Sequence, residues 1–160
     1  MSIRADLAPA LVIDLVDEAA TARLAAALAP LARGRDVIAL WGDLGAGKTS
    51  FARAFIRALT EADQEVPSPT FSLVQTYDTA QGVALWHFDL YRLAGSEEAL
   101  ELGIEEAFAE GITLIEWPER LGDFLPEKRL DLALEPGPEP TSRQASLYGW
   151  TDRLADWPAP

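Results

Sequence analysis

The sequence predicts an α/β domain, helices packed on a central sheet, and three observations predict it. Apolar runs of strand length recur at residues 36–41, 83–89 and 112–117. Apolar residues at helical spacing lie between or before them, at 24–31 and 51–59. With 160 residues, the chain is also long enough to bury one core of ordinary size.

Each element can be justified in order. Asp17 precedes a stripe of Leu24, Ala27, Leu28 and Leu31, a helix capped by that aspartate and ending near Pro30. Residues 36–41 read as a buried strand that stops at Gly42. A glycine-rich turn follows, and then Phe51, Phe55, Ala58 and Leu59 mark a helix laid on a sheet. Pro67 and Pro69 break the pattern. Residues 71–76 and 83–89 form a hairpin joined across 78–82. Residues 96–101 make a short capped helix that 103–108 extends or restarts. The run 112–117 is a further buried strand, ended by Pro118. Residues 129–135 alternate apolar and polar, a proline-rich stretch at 136–140 makes a stiff turn, and 143–151 reads as the last strand. The final nine residues are expected to be a loosely docked tail. No repeat and no long linker divides the chain. One domain is therefore expected over 1–160, with a core at about 14–151 and a tail at 152–160.

Composition narrows the function. Thirteen basic against 26 acidic residues leave a net charge of −13. Such a surface argues against clamping nucleic acid or an anionic membrane by its own field. It favours a protein partner, or a ligand in a locally positive pocket. The absence of cysteine excludes disulfides, thiolate nucleophiles and thiolate metal sites. The single histidine, His87, excludes a polyhistidine metal site. No apolar run approaches the roughly 20 residues needed to span a bilayer. No signal-peptide pattern opens the sequence, so a cytoplasmic location is expected. Lysine occurs only at 48 and 128, with arginine at eleven positions.

Lys48 lies in the most informative stretch. Gly42, Asp43, Leu44, Gly45, Ala46, Gly47, Lys48 and Thr49 fit G-x-x-x-x-G-K-[ST] in full. The glycines let backbone N–H groups turn inward around a β-phosphate, where a Cβ would obstruct. Lys48 reaches the β- and γ-phosphates, the Thr49 hydroxyl ligates Mg²⁺, and the next helix points its positive end at the anion. A chance match in this length is on the order of 0.5%, and the strand–turn–helix context lowers that further. With no lysine in a guanine-reading motif, ATP is the default nucleotide. Mg²⁺ needs a carboxylate beyond Thr49, usually at the end of a neighbouring strand. Asp89 and Glu116 each end an apolar run and both qualify. Strand periodicity puts His87 on the face of Asp89, as a structural histidine or one that orients Asp89 or water. Ser68 or Thr70 is placed to meet metal or phosphate unless the segment is simply a rigid two-proline turn, and Arg92 is either an active-site arginine or a surface residue. Trp117, beside Glu116, is near the nucleotide on this reading, whereas Trp41, Trp86 and Trp150 belong to the core.

Together G-D-L-G-A-G-K-T at 42–49, P-S-P-T-F-S-L-V at 67–74, H-F-D-L-Y-R-L at 87–93, E-L-G-I at 101–104 and I-E-W-P-E-R-L at 115–121 resemble the TsaE (YjeE) family. These are bacterial ATPases required for threonylcarbamoyladenosine modification of tRNA. The resemblance covers roughly residues 14–150 and keeps the family's motif order. It implies a P-loop NTPase-like three-layer fold whose mixed central sheet includes antiparallel strands. It implies Thr49 and Glu116 as Mg²⁺ ligands, Asp89 as the acid needed for hydrolysis, and a switch around residues 68–71. Adenine contacts would come from near Glu18 and, as a weaker choice, Arg143. Ser50 stands where the family often has a second threonine, beside the metal-binding slot of Thr49. The implied partners are the TsaD–TsaB pair, with tRNA met only through that complex, and slow ATP hydrolysis resets the transferase. No arginine finger can be assigned, which leaves room for one supplied in trans. Two competing readings are a small-molecule kinase, for which residues 120–129 make a poor arginine lid, and a nucleotide-gated binding module without significant turnover.

Overall fold

A computed structural model describes residues 7–160. Seven strands form one sheet: β1 (Leu11–Leu15), β2 (Val37–Trp41), β3 (Val74–Asp78), β4 (Ala84–Asp89), β5 (Ile112–Glu116), β6 (Leu130–Pro136) and β7 (Arg143–Tyr148). Their spatial order is β1-β7-β6-β2-β5-β4-β3. The middle four, β6, β2, β5 and β4, run parallel, whereas β7, β1 and β3 are added antiparallel at the two sides. The sheet is therefore mixed, as expected.

Helices α1 (Glu18–Leu28) and α2 (Lys48–Leu59) cover one face. The short helices α3 (Glu98–Glu101) and α4 (Ile104–Glu110) and the 3₁₀ turns of Pro118–Phe124 cover the other. Alternation along β2 serves both layers: Ile38 and Leu40 pack towards α1 and α2, while Val37, Ala39 and Trp41 pack oppositely. All five residues of β2 and of β5 are buried, the pattern of parallel strands covered on two sides.

Local chemistry sets the element boundaries. Asp17 Oδ1 accepts from the Ala20 N–H at 2.8 Å and caps α1, which tightens into a 3₁₀ turn at Ala29–Leu31 around Pro30. Gly103, at φ 84°, ends the first short helix and restarts the second. Three expectations change. Residues 71–73 are not strand: β3 begins at Val74, because the two prolines and Leu73 at φ 67° keep the chain turning. The last strand stops at Tyr148, since Gly149 and Trp150 both take positive φ and lead into α5 (Thr151–Leu154). The tail is docked more firmly than expected. Arg153 forks onto Asp36 at 2.6 and 2.9 Å and donates to the Leu31 carbonyl, and Trp157 packs on the core. Strand β1 was not foreseen at all. Among the described residues, no helix is long and apolar enough to cross a membrane.

Candidate functional site

The parallel registers bring the carboxyl ends of β2, β5 and β4 to one edge of the sheet. That edge is where open α/β sheets bind ligands. The loop after β2 carries Gly42, at φ 149°, and Gly47, at φ 104°. A Cβ on Gly42 would lie 2.9 Å from both Ala46 Cβ and the Leu134 carbonyl oxygen, so the loop can pass there only as glycine. Gly47 is the N-cap of α2 and offers no side chain to its first N–H groups. Uncapped donors of this kind at a helix amino end are suited to an anion. Asp43, Leu44 and Gly45 form the exposed crest of the loop, and Ala46 tucks inward beneath it.

Lys48 is buried at the start of α2. Its Nζ donates to the Gly42 carbonyl at 2.6 Å and stands 3.4 Å from the centroid of the Trp117 ring. Burial lowers its pKa from the ordinary 10.5, against the upward pull of Glu116, Glu119, Asp89 and Asp43. Trp117 reaches this position because it takes φ 60° directly after β5.

Thr49 Oγ1 donates to Glu116 Oε1 at 2.7 Å. Glu116 Oε2 lies 2.7 Å from His87 Nε2, with both side chains buried. Asp89 is paired with Glu116 in the β4–β5 register. Its Oδ1 accepts from the Tyr91 N–H at 3.1 Å and its Oδ2 from Thr70 Oγ1 at 3.4 Å. Thr70 and Ser68 share a hydrogen bond of 2.8 Å. The neighbouring Phe71 is 83% exposed, and its ring lies under the Arg92 guanidinium. A cavity of about 270 Å³ opens between these groups, with Lys48, Thr49, Thr70, Asp89, Glu116 and Trp117 on its walls.

The remaining site residues flank the loop. Glu18 Oε1 accepts from Ser50 Oγ at 2.9 Å, at the amino ends of α1 and α2. Arg143 Nη2 donates to the Gly45 carbonyl at 3.1 Å, and its Nη1 to Ser142 and Pro140, bracing the loop from β7. Neither Glu18 nor Arg143 lines the cavity. A larger hollow of about 950 Å³ lies at the other end of the sheet, beside Arg33, Lys128 and Arg153. It contains none of the motif residues.

Sequence reasoning assigned His87 to Asp89, water or the core; the structure joins it to Glu116. It also did not foresee that Trp117 caps the lysine. The donor chemistry would fit a cation: one hydroxyl and one carboxylate oxygen lie 2.7 Å apart, with a second carboxylate on the adjacent strand. Among the described residues, no group of three or more His, Asp or Glu would hold a metal unaided. Such a partial oxygen set suits Mg²⁺, which takes its other ligands from phosphate and water.

Residues 15–145 match the family profile described as threonylcarbamoyl adenosine biosynthesis protein TsaE. The chain is 42% identical over 121 residues to the tRNA threonylcarbamoyladenosine biosynthesis protein TsaE of Rickettsia felis, covering 76% of this chain and 70% of that protein. It is 41% identical over 122 residues to the protein of the same name from Aquifex aeolicus, covering 76% and 82%. It is 36% identical over 116 residues to that from Bacillus subtilis, covering 72% and 71%. Among solved structures, a crystal structure of Bacillus subtilis YdiB superposes with a TM-score of 0.73 at 28% identity, covering 91% of this chain and 88% of that one.

Proposed function

The chain belongs to the TsaE family, and from that premise we propose that it binds and slowly hydrolyses ATP to drive threonylcarbamoyladenosine formation on tRNA. In this reading it works in the cytoplasm with the TsaD–TsaB transferase, resets that complex between turnovers, and meets tRNA only through it. The observation that carries the proposal is the single sheet edge at which Lys48 and Thr49 face Asp89 and Glu116.

Each residue has a task that its position supports. The loop N–H groups and the amino end of α2 take the phosphates. Lys48 exchanges the Gly42 carbonyl for phosphate oxygens, adding a direct charge partner to the carboxylates that already surround it. Thr49 and Glu116 would hold Mg²⁺, which supplies charge neutralisation on the β- and γ-phosphates. Asp89 orients the attacking water by accepting its hydrogen bond, and Thr70 and Ser68 report on the γ-phosphate. Glu18 and Arg143 flank the nucleotide at the two sides of the loop. Slow turnover of the isolated chain fits the self-satisfied site: Lys48 is engaged by Gly42 and Trp117, and Thr49 by Glu116. An arginine provided by a partner would complete the positive charge around the phosphates. The strong acidity of the chain suits a component that docks on proteins and does not hold nucleic acid itself.

Phosphate release, measured alone and with TsaD–TsaB plus tRNA, tests this. Wild type should show a weak basal rate and sustain multiple rounds of tRNA modification. Lys48→Ala should lose nucleotide binding. Asp89→Ala should bind ATP but hydrolyse it at least about 100-fold more slowly. A wild-type rate in either variant overturns the site assignment. Unchanged modification when the chain is omitted overturns the coupling.

A further inference from the structure

We propose that His87 is a positioning residue, whose Nε2–H fixes Glu116 so that its other carboxylate oxygen stays turned to Thr49 and the cation. This rests on the Mg²⁺–nucleotide reading above. Glu116 is 2% exposed, so its carboxylate cannot be satisfied by bulk water and needs protein donors. It has one on each oxygen: Thr49 Oγ1 on Oε1 and His87 Nε2 on Oε2, both at 2.7 Å. The two contacts differ in kind. Thr49 sits on the loop–helix junction, where its hydroxyl and Glu116 Oε1 would both face an arriving cation. His87 sits inside β4, fully buried, on a rigid ring that has no long flexible stem. It can therefore keep one lobe of the carboxylate in place while the other changes partner.

The packing also assigns the tautomer. His87 Nδ1 is buried and has no hydrogen-bond partner among the described residues. A proton on Nδ1 would leave that N–H unpaired and would set the Nε2 lone pair against a carboxylate lone pair. A proton on Nε2 makes the 2.7 Å contact a charge-assisted bond and leaves only an unfilled acceptor on Nδ1. The usual outer-sphere order has a carboxylate steadying a ligating histidine. Here the roles are reversed, with a histidine steadying the ligating carboxylate.

The chain contains one histidine, so selective ¹⁵N-histidine labelling reports on His87 alone. The nucleotide-free protein should show the proton on Nε2, and the ring signals should move when Mg²⁺ and a non-hydrolysable ATP analogue are added together. An Nε2 without a proton overturns the proposal. Mn²⁺ binding, followed by electron paramagnetic resonance with the analogue present, tests the positioning. His87→Leu, which removes the donor, should weaken Mn²⁺ by about 10- to 100-fold and leave metal-free nucleotide affinity unchanged. His87→Gln, which restores a side-chain N–H, should recover most of the loss. A folded His87→Leu with wild-type Mn²⁺ affinity overturns the role. If that variant does not fold, His87→Phe, which keeps a ring and removes the donor, is read in its place: a loss of about 10-fold or more supports the role and wild-type Mn²⁺ affinity overturns it. A wild-type chain that binds no nucleotide would sink the underlying site reading, whereas a wild type that binds beside indifferent variants would sink only His87.

Discussion

Lys48 is held in the free chain by a ring and a carbonyl, not by a direct ion pair. Its head is buried over an indole and against one carbonyl, and burial lowers its pKa despite four carboxylates nearby. A lowered pKa in a base means that the folded state binds fewer protons than the unfolded one. The resulting cost to stability is fully present below the lowered value and is gone above 10.5. Wild type should therefore gain stability relative to Lys48→Met as pH rises through that window, read from urea midpoints of the nucleotide-free proteins. Tyr77 acts oppositely, since burial raises its pKa above 10.0 and its contribution is lost at higher pH. It does so in both proteins and cancels in the comparison. A flat difference between them would show that Lys48 is not desolvated in the free chain. The placing of the lysine at the head of α2 was legible in the sequence, because the pattern that sets it spans eight consecutive residues. Trp117 above it and His87 beside Glu116 were not. Those contacts join residues 69 and 29 positions apart along the chain, and only the register of β4 on β5 and the positive φ of Trp117 create them.

The element that defines the site is β2–loop–α2, and its glycines differ in what they permit. Gly42 combines φ 149° with a Cβ position 2.9 Å from Ala46 and from the Leu134 carbonyl. Gly45, at φ 79°, has open space around it. Gly42→Ala should thus lower both thermal stability and nucleotide affinity severely. Gly45→Ala should cost only the left-handed backbone strain, about 1–2 kcal/mol. Paired melting curves and nucleotide titrations check this, and equal losses in the two variants would contradict it. The same contrast between local and distant information explains what the sequence disclosed about the elements. The helices and the buried strands β2 and β5 carry periodicity and caps within a dozen residues. Strand β1 does not: LVIDL is a half-exposed edge run whose strand character comes from antiparallel pairing with β7. Residues 71–73 fail in the opposite sense. Their apolar–polar–apolar alternation looks like strand, yet Phe71 is turned outward and Leu73 takes a left-handed conformation.

At the scale of the whole molecule, a chain with a net charge of −13 is proposed to capture a polyanion. The attraction must be short-ranged. It comes from one buried lysine, the amino end of α2 and the loop N–H groups, set beside Asp43, Asp89, Glu116 and Glu119. Beyond the cavity, the summed field repels an incoming nucleotide. Screening weakens the distant repulsion before it weakens the contacts inside the cavity, because the Debye length falls from about 30 Å at 0.01 M salt to about 10 Å at 0.1 M. The association rate of a fluorescent ATP analogue with Mg²⁺ should therefore rise with potassium chloride over this range, opposite to the fall expected of a basic nucleotide-binding protein. Stopped-flow mixing measures it directly. Lys48→Met should show the same upward salt slope for any residual binding, since the slope belongs to the surface and not to the lysine. A rate that falls with salt would mean that the loop's positive field reaches past the carboxylates, and that acidity does not govern how this protein meets its nucleotide.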